Sequence, residues 1–432
     1  MKCFRNLTVL FLILPAAMVG AYPLDGDQYT GISRLEGYRL GQEGKVTGVL
    51  RLPAGALLNT EQVDLRLAER PDLEMPAADP NFTEEVVTLL GDDADRYGIA
   101  VLDLTDPNRP RYAEHRADQF FNPGSVGKLA VAMGIFQALA EAYPEDIGAR
   151  ESVLRDSPVV ADGFIVHDHH KVPLWDPGSQ QLAHRPIREG DSASLWTYLD
   201  WMMSASSNAA ASMSMKHLVL LKNFGRDYPV SEARAESFFK QTPRTKLSAL
   251  LETGLRSGVD ASGLDAGSFR QGGFFTREGK RRVPGTSSYA TPRELMRFLL
   301  HLEQGKVVDP FSSREIKRLM YMTQRRIRYA SSPALYEAAV YFKSGSMYRC
   351  GPEPGFQCKK YQGNLLNVLN SVAIIEAPAG SDRPLFYMVV LTSNVLKENA
   401  SWAHRSLATR LHELLERRHL HVVEDEIVEP DN

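Results

Sequence analysis

The sequence has 432 residues, a formal net charge of −3 and 43% hydrophobic residues. That length supports one large core or two smaller ones, and the near-balanced charge leaves no electrostatic footprint for nucleic acid. Two short basic runs, "REGKRR" at 277–282 and "QRRIR" at 324–328, have acidic residues elsewhere to balance them and read as solvated faces.

In chain order, the first element is a leader. Lys2 and Arg5 precede the apolar run "LTVLFLILPAAMV", and small residues end at Ala21. This is the layout of a secretory signal peptide over 1–21, and the apolar run is short for a membrane span. The expectation is an exported bacterial protein, periplasmic or extracellular, with no stable span after cleavage. Cleavage would remove Cys3 and leave Cys350 and Cys358 in "RCGPEPGFQCKK". An even count in an exported chain suggests a disulfide, worth about 2–3 kcal/mol for so short a loop. Two unpaired thiols are the alternative, and a metal pair is disfavoured by the lack of a nearby histidine.

Residues 22–70 read as a small β-leaning extension, because "KVTGVLRL" and "QVDLRLAER" alternate apolar and polar residues. The proline-rich "PDLEMPAADPNF" at 71–82 reads as a linker, and "TEEVVTLLGDD" as a short helix. "YGIAVLDL" is a strand of buried type, and "NRPRYAEHRAD" a turn with a second strand. A helix begins near Ser125. From about 140 to 280 helical patterns dominate: "DSASLWTYLDWMMSASS" and "RTKLSALLETGL" place apolar residues at helical spacing. "TPRELMRFLLHLEQG" is a helix capped by Thr291 with Pro292 in its first turn, and "SSREIKRLMYM" follows it. Then "YEAAVYFKSG", "NVLNSVAIIEAP" and "RPLFYMVVLTSN" make an antiparallel meander, and "ENASWAHRSLATRLHELLERR" closes the domain as a helix. The first strands and the last must therefore meet in one sheet, with the helical block inserted beside it.

Three short motifs carry chemistry. "NPGSVGKLAVAMG" sets Ser125 and Lys128 three residues apart at a helix head, so both side chains leave one face. A serine hydroxyl needs a base to become a nucleophile, and a lysine serves when burial or neighbouring cations depress its pKa. A second Ser-x-x-Lys, Ser237 to Lys240, lies among charged residues and reads as surface helix. "SASSNAAAS" supplies Ser206 and Asn208 just after an apolar helix, and "YFKSGSM" supplies Lys343, Ser344, Gly345 and Ser346 on the first meander strand. Ser-x-x-Lys, Ser-x-Asn and Lys-Ser/Thr-Gly, in that order, are the signature of penicillin-recognising serine enzymes. At these residues the sequence resembles the class A β-lactamase family and its penicillin-binding relatives, over about residues 83–418.

The resemblance implies an α+β fold of the β-lactamase/transpeptidase type: an antiparallel sheet flanked by terminal helices, plus an inserted all-α lobe. A catalytic domain would span 81–420, its α/β lobe about 81–119 and 291–420 and its all-α lobe about 120–290. The signal (1–21), the extension and linker (22–80) and an acidic tail (421–432) lie outside it. The resemblance also implies roles. Ser125 attacks a carbonyl and becomes acylated, with Lys128 as base. Ser206 relays a proton to the leaving nitrogen beside Lys343, and the Asn208 amide holds the substrate's side-chain amide. The N–H groups of Ser125 and Ser346 form an oxyanion hole, Gly345 admits the substrate close to the strand, and Ser344 or Ser346 binds a carboxylate. Trp175 in "VPLWDP" matches an aromatic at the site mouth, with simple core packing as the alternative. No cofactor is implied.

The sequence departs from the family where the deacylating glutamate belongs. No Glu-x-x-Leu-Asn lies between Ser206 and Thr291; Glu278 is nearest in position but sits in a basic context, and the segment between the second and third motifs is long. Three functions stay open: a β-lactam hydrolase, a penicillin-binding D-Ala-D-Ala carboxypeptidase acting on peptidoglycan peptides, and a non-catalytic cell-wall binding module. "FIVHDHHKVPLW" at 164–175 holds His167, Asp168, His169 and His170, with alternation placing His167 and His169 on one strand face. A transition metal is one reading, but no further ligands cluster, and the stretch reads as a polar hairpin beside the site. Oligomeric state is not legible.

Overall fold

The computed structural model describes residues 25–321 and 326–427, with side chains as far as 419, so the leader lies outside the described residues, as do 428–432. Five strands form one antiparallel sheet: β1 (Tyr97–Asp103), β2 (Arg111–His115), β3 (Ala339–Arg349), β4 (Leu366–Ala377) and β5 (Leu385–Asn394). The order is β2-β1-β5-β4-β3. The β1–β5 pairing, Tyr97 opposite Ser393 through Asp103 opposite Tyr387, joins the early chain to the late one. The α+β expectation therefore holds, and the meander leaves β3, the carrier of Lys343 and Gly345, on the sheet edge.

Strand alternation divides the core. Ala100, Leu102, Tyr341, Val372, Ile374, Met388 and Val390 face the helical block. Ile99, Val101, Phe342, Ala373, Ile375, Val389 and Leu391 face the closing helix, which answers with Leu407, Leu411 and Leu415. Each such side chain contributes about 1.5–3 kcal/mol on burial, so a sheet covered on both faces explains why its strands read as nearly continuous apolar runs.

The Lys128–Ala142 helix is buried along most of its length and runs through the middle of the helical block. It packs against the Arg244–Ala261 helix at a crossing that tolerates no side chain. A Cβ on Gly258 would lie 2.6 Å from the Met133 carbonyl carbon, and one on Gly134 would lie 2.7 Å from the Gly254 oxygen. The block is not purely helical: three two-stranded pairs occur in it, Pro158–Val160 with Ser192–Ser194, Val172–Asp176 with Gln181–Arg185, and Phe269–Arg270 with Tyr289–Ala290. The Thr291 cap forms as expected, its side chain accepting from the Glu294 N–H at 3.2 Å. The helix at 83–93 starts earlier, over Pro80–Thr88, because Asp79 caps the Asn81 and Phe82 N–H groups.

The extension differs from its expected form. Residues 34–42 are a helix (Arg34–Gln42), and 45–70 hold turns and one short 3-10 segment, Ala54–Ala56, where alternation suggested strands. Alternation requires only that every second side chain be buried; a strand also needs a neighbour for its backbone. Here Val63, Leu65 and Leu67 enter the core singly. The backbone N–H groups of Arg66 and Leu67 bond Glu303 Oε2 and the Glu303 carbonyl, at 2.8 and 3.2 Å. The extension is packed into the domain: Arg34 makes a buried two-point ion pair with Asp200, both bonds 2.6 Å. A disulfide joins Cys350 and Cys358 in the β3–β4 connection.

Candidate active site

Ser125 sits in a 3-10 turn, Gly124–Gly127, that leads straight into the Lys128–Ala142 helix. The turn is tied at both ends. Asn122 Oδ1 accepts from the Gly124 N–H at 2.9 Å, and Asn370 on β4 donates to the Asn122 carbonyl at 2.9 Å. β3 presses against it so closely that a Cβ on Gly345 would lie 2.3 Å from the Pro123 carbonyl oxygen and 2.7 Å from the Ser125 nitrogen. A glycine is therefore required there, and the Gly345–Ser346 backbone lies alongside the Gly124–Ser125 turn.

The three motifs meet. Lys128 Nζ donates to Ser125 Oγ (2.9 Å), to the Ser206 carbonyl (2.7 Å) and to Asn208 Oδ1 (2.8 Å), and lies 3.4 Å from Ser206 Oγ. Lys343 Nζ donates to Ser206 Oγ at 2.9 Å. Ser206 thus stands between two amines. It has φ +57°, in the left-handed region, which costs a non-glycine residue about 1–3 kcal/mol and marks this turn as held by its surroundings. Asn208 opens the next helix, Asn208–Phe224.

Both lysines are buried, and no carboxylate hydrogen-bonds either amine among the described residues. Burial drives the Lys128 pKa down to about 7; Asp168 pulls it back up and Arg328 adds to the fall. The ring of Phe275, 4.7 Å from Nζ, covers the amine on one side. Burial likewise holds Lys343 well below the ordinary lysine range, reinforced by Lys128 and Arg328. Near neutral pH an amine such as Lys128 can accept a proton, which an exposed lysine cannot.

Arg328 is a site residue that the sequence pattern misplaced. The run 324–328 reads as a solvated face, yet Arg326 donates to the Leu335 and Ala338 carbonyls. Arg328 donates to Ser344 Oγ (2.6 Å), Ser346 Oγ (3.0 Å) and the Tyr361 hydroxyl (3.0 Å), under the face of the Tyr361 ring. Its guanidinium therefore reaches three hydroxyls, two of them on the Lys-Ser-Gly-Ser strand. Nothing local in "RRIRY" distinguishes this arginine from its neighbours; only the fold brings it to β3.

Packing decides two readings that the sequence left open. Trp175 is buried against the N-terminal segment: its indole N–H donates to Glu36 Oε2 at 2.9 Å and its ring lies where a Gly37 side chain would be. It is core packing, not a cleft-mouth aromatic, because the extension covers it. Glu278 lies in the short helix Arg277–Arg282 and is gripped by Arg281 and Arg282 at 2.6 and 2.8 Å. Those bonds hold its carboxyl down at about 2, so it is a poor base.

The 164–170 stretch is also not the expected strand. A 3-10 turn, Gly163–Ile165, precedes an irregular segment, and pairing starts only at Val172. His167 and His169 thus share no strand face, and the described residues hold no cluster of three or more metal-ligating side chains. Asp168 turns inward instead, accepting from Ser207 Oγ at 2.9 Å and the Ala209 N–H at 2.8 Å, with His170 Nδ1 2.5 Å from its other oxygen.

A family model described as the beta-lactamase enzyme family matches residues 81–415. Among solved structures, TLA-3 extended-spectrum beta-lactamase is 12% identical, with a TM-score of 0.50 over 78% of this chain and 98% of that one. A representative of class A beta-lactamase from Bacteroides cellulosilyticus DSM 14838 is 13% identical, with a TM-score of 0.48 over 78% and 98%. PBP-A is 14% identical, with a TM-score of 0.47 over 80% and 100%. No curated protein matches the sequence. With the family model spanning most of the chain, and a five-stranded antiparallel sheet beside a helical block in the expected order, the protein belongs to the beta-lactamase enzyme family.

Proposed function

We propose that this protein is an exported serine hydrolase that opens the amide of a β-lactam by acylating Ser125. The observation that carries this reading is Lys128 Nζ, buried, without a carboxylate hydrogen-bond partner and 2.9 Å from Ser125 Oγ. Neutral Lys128 takes the Ser125 proton as Oγ attacks the carbonyl carbon. The oxyanion settles on the Ser125 and Ser346 N–H groups. As the C–N bond breaks, Ser206 Oγ passes a proton to the departing nitrogen and is resupplied from the lysines on either side. Asn208 Oδ1 is engaged by Lys128, which leaves its NH2 group for the substrate's side-chain carbonyl. Arg328, with Ser344 and Ser346, offers a two-pronged anchor for the substrate carboxylate.

A second reading, a penicillin-binding D-Ala-D-Ala carboxypeptidase, is favoured by one feature: Glu278 is held by two arginines, so acylation is better equipped than deacylation. One experiment addresses both. A cephalosporin mixed with stoichiometric enzyme should give a burst equal to one product per Ser125, followed by slow turnover. The acylation rate should rise with pH through about 7, since Lys128 acts only once deprotonated. Mass spectrometry should find the adduct in wild type and none in Ser125→Ala. An adduct surviving Ser125→Ala would overturn the proposal; a permanent adduct with D-Ala release from a pentapeptide would select the carboxypeptidase.

A further inference from the structure

The "HDHH" stretch is absorbed neither by the fold nor by the steps above, yet one of its residues touches the catalytic turn. Asp168 Oδ2 accepts from both Ser207 Oγ (2.9 Å) and the Ala209 N–H (2.8 Å), the residues on either side of Asn208. Its other oxygen lies 2.5 Å from His170 Nδ1 and accepts from the His170 N–H at 3.2 Å. Asp168 is nearly buried, whereas the His170 ring is 42% exposed. A continuous chain of polar contacts and bonded neighbours thus runs inward from solvent. It passes from the His170 ring to the Asp168 carboxylate and the Ser207–Ala209 backbone, then through Asn208 Oδ1 and Lys128 Nζ to Ser125 Oγ.

We propose that Asp168, oriented by His170, is a positioning residue that clamps the Ser206–Asn208 turn and supplies the counter-charge that decides when Lys128 can act as a base. This rests on the reading of Ser125 and Lys128 given above. Two physical needs meet here. Ser206 occupies a left-handed conformation that must be held from outside, and Asp168 bonds the next turn on both sides of Asn208. Two buried amines and a guanidinium also crowd one crevice, with no acid among the described residues hydrogen-bonded to them. The charged groups facing Lys128 are Asp168 from this segment, Arg328 from the turn before β3 and Lys343 on β3. Asp168 is the one negative charge among them, and it acts across Asn208 without bonding the amine. His170 is its partner on the solvent side. Bonds from His170 and from the Ala209 N–H outweigh the upward pull of burial and keep the carboxylate ionised well below the usual range.

The consequence is a pH signature that a purely structural cap would not have. The variant Asp168→Asn keeps an oxygen for the Ala209 N–H but removes the charge. Lys128 then loses its stabilising counter-charge and deprotonates more readily. The acid limb of the acylation rate, measured by stopped-flow with a chromogenic cephalosporin from pH 5 to 9, should move down by about half a unit or more. The rate itself should fall, as the turn is held less tightly. A limb that stays in place while the rate falls evenly at every pH would reduce Asp168 to a helix cap and overturn the proposal. Should that variant not fold, His170→Ala at the exposed end removes the ring that orients the carboxylate. The limb should then move, and an unmoved limb overturns the proposal equally. Wild-type enzyme that forms no Ser125 adduct would sink the catalytic reading; an adduct-forming wild type with unmoved limbs in the variants would sink only this inference.

Discussion

Two regions of the molecule bury lysines, and they treat them in opposite ways. At the junction of the Pro292–Glu303 and Pro310–Tyr321 helices with β4, Lys317 is fully buried. Its Nζ lies 2.7 Å from Glu303 and 2.8 Å from Glu376, and donates to the Asp64 carbonyl. Burial alone would lower its pKa, but the two carboxylates outweigh it and the pKa rises. Lys128 and Lys343 are just as buried, but their hydrogen bonds go to hydroxyl, carbonyl and amide oxygens, and their pKa values fall. Burial therefore does not make a lysine a base; burial without an adjacent acid does. The first cluster locks the extension to the domain, since Arg66 also bonds Glu376. The second is prepared to move a proton.

The contrast can be broken at either end. The largest effect expected is on chemistry: Lys128→Met should lower the acylation rate on the order of 10³-fold or more, read by stopped-flow, while thermal unfolding changes little because no ion pair is lost. Lys317→Met should do the reverse. It strands the buried Glu303 carboxylate and leaves Glu376 only Arg66, and should cost about 3–5 kcal/mol in urea unfolding, with the acylation rate per folded molecule unchanged. Arg328→Ala should raise KM for a carboxylate-bearing β-lactam roughly tenfold to a hundredfold, in line with loss of a charge-assisted pair. The same change should matter far less for an analogue lacking the carboxylate. At the small end, Glu278→Gln should leave the rate of acyl-enzyme hydrolysis unaltered, because that carboxylate is spent on Arg281 and Arg282; a drop in turnover would restore it as the deacylation base.

The parts of the site that were legible in the sequence are those whose geometry is local. Ser125 and Lys128 are one helical turn apart, Ser206 and Asn208 flank one residue, and Lys343 to Ser346 share one strand, so each spacing is itself a piece of the geometry. Arg328 and Asp168 were read as part of a solvated face and of a polar hairpin. Their contacts with the motif residues and Ala209 lie 16 to 41 residues away, and no periodicity carries information about such a partner. The same limit explains 45–70, where alternation correctly marks Val63, Leu65 and Leu67 as buried but cannot say that no strand runs beside them.

By itself, then, the sequence determined the order of elements, the antiparallel meander, the buried faces of its helices and the three motifs, because each follows from short-range spacing and the period of a helix or strand. Only the tertiary structure decided which charges face which. It gave Lys317 two acids and left Lys128 and Lys343 without a hydrogen-bonded one among the described residues, turned Arg328 onto β3, aimed Asp168 at the Ser206 turn and covered Trp175 with the N-terminal segment. Electrostatic interaction in a buried crevice depends on distance through space and on excluded water, and neither quantity is written along the chain.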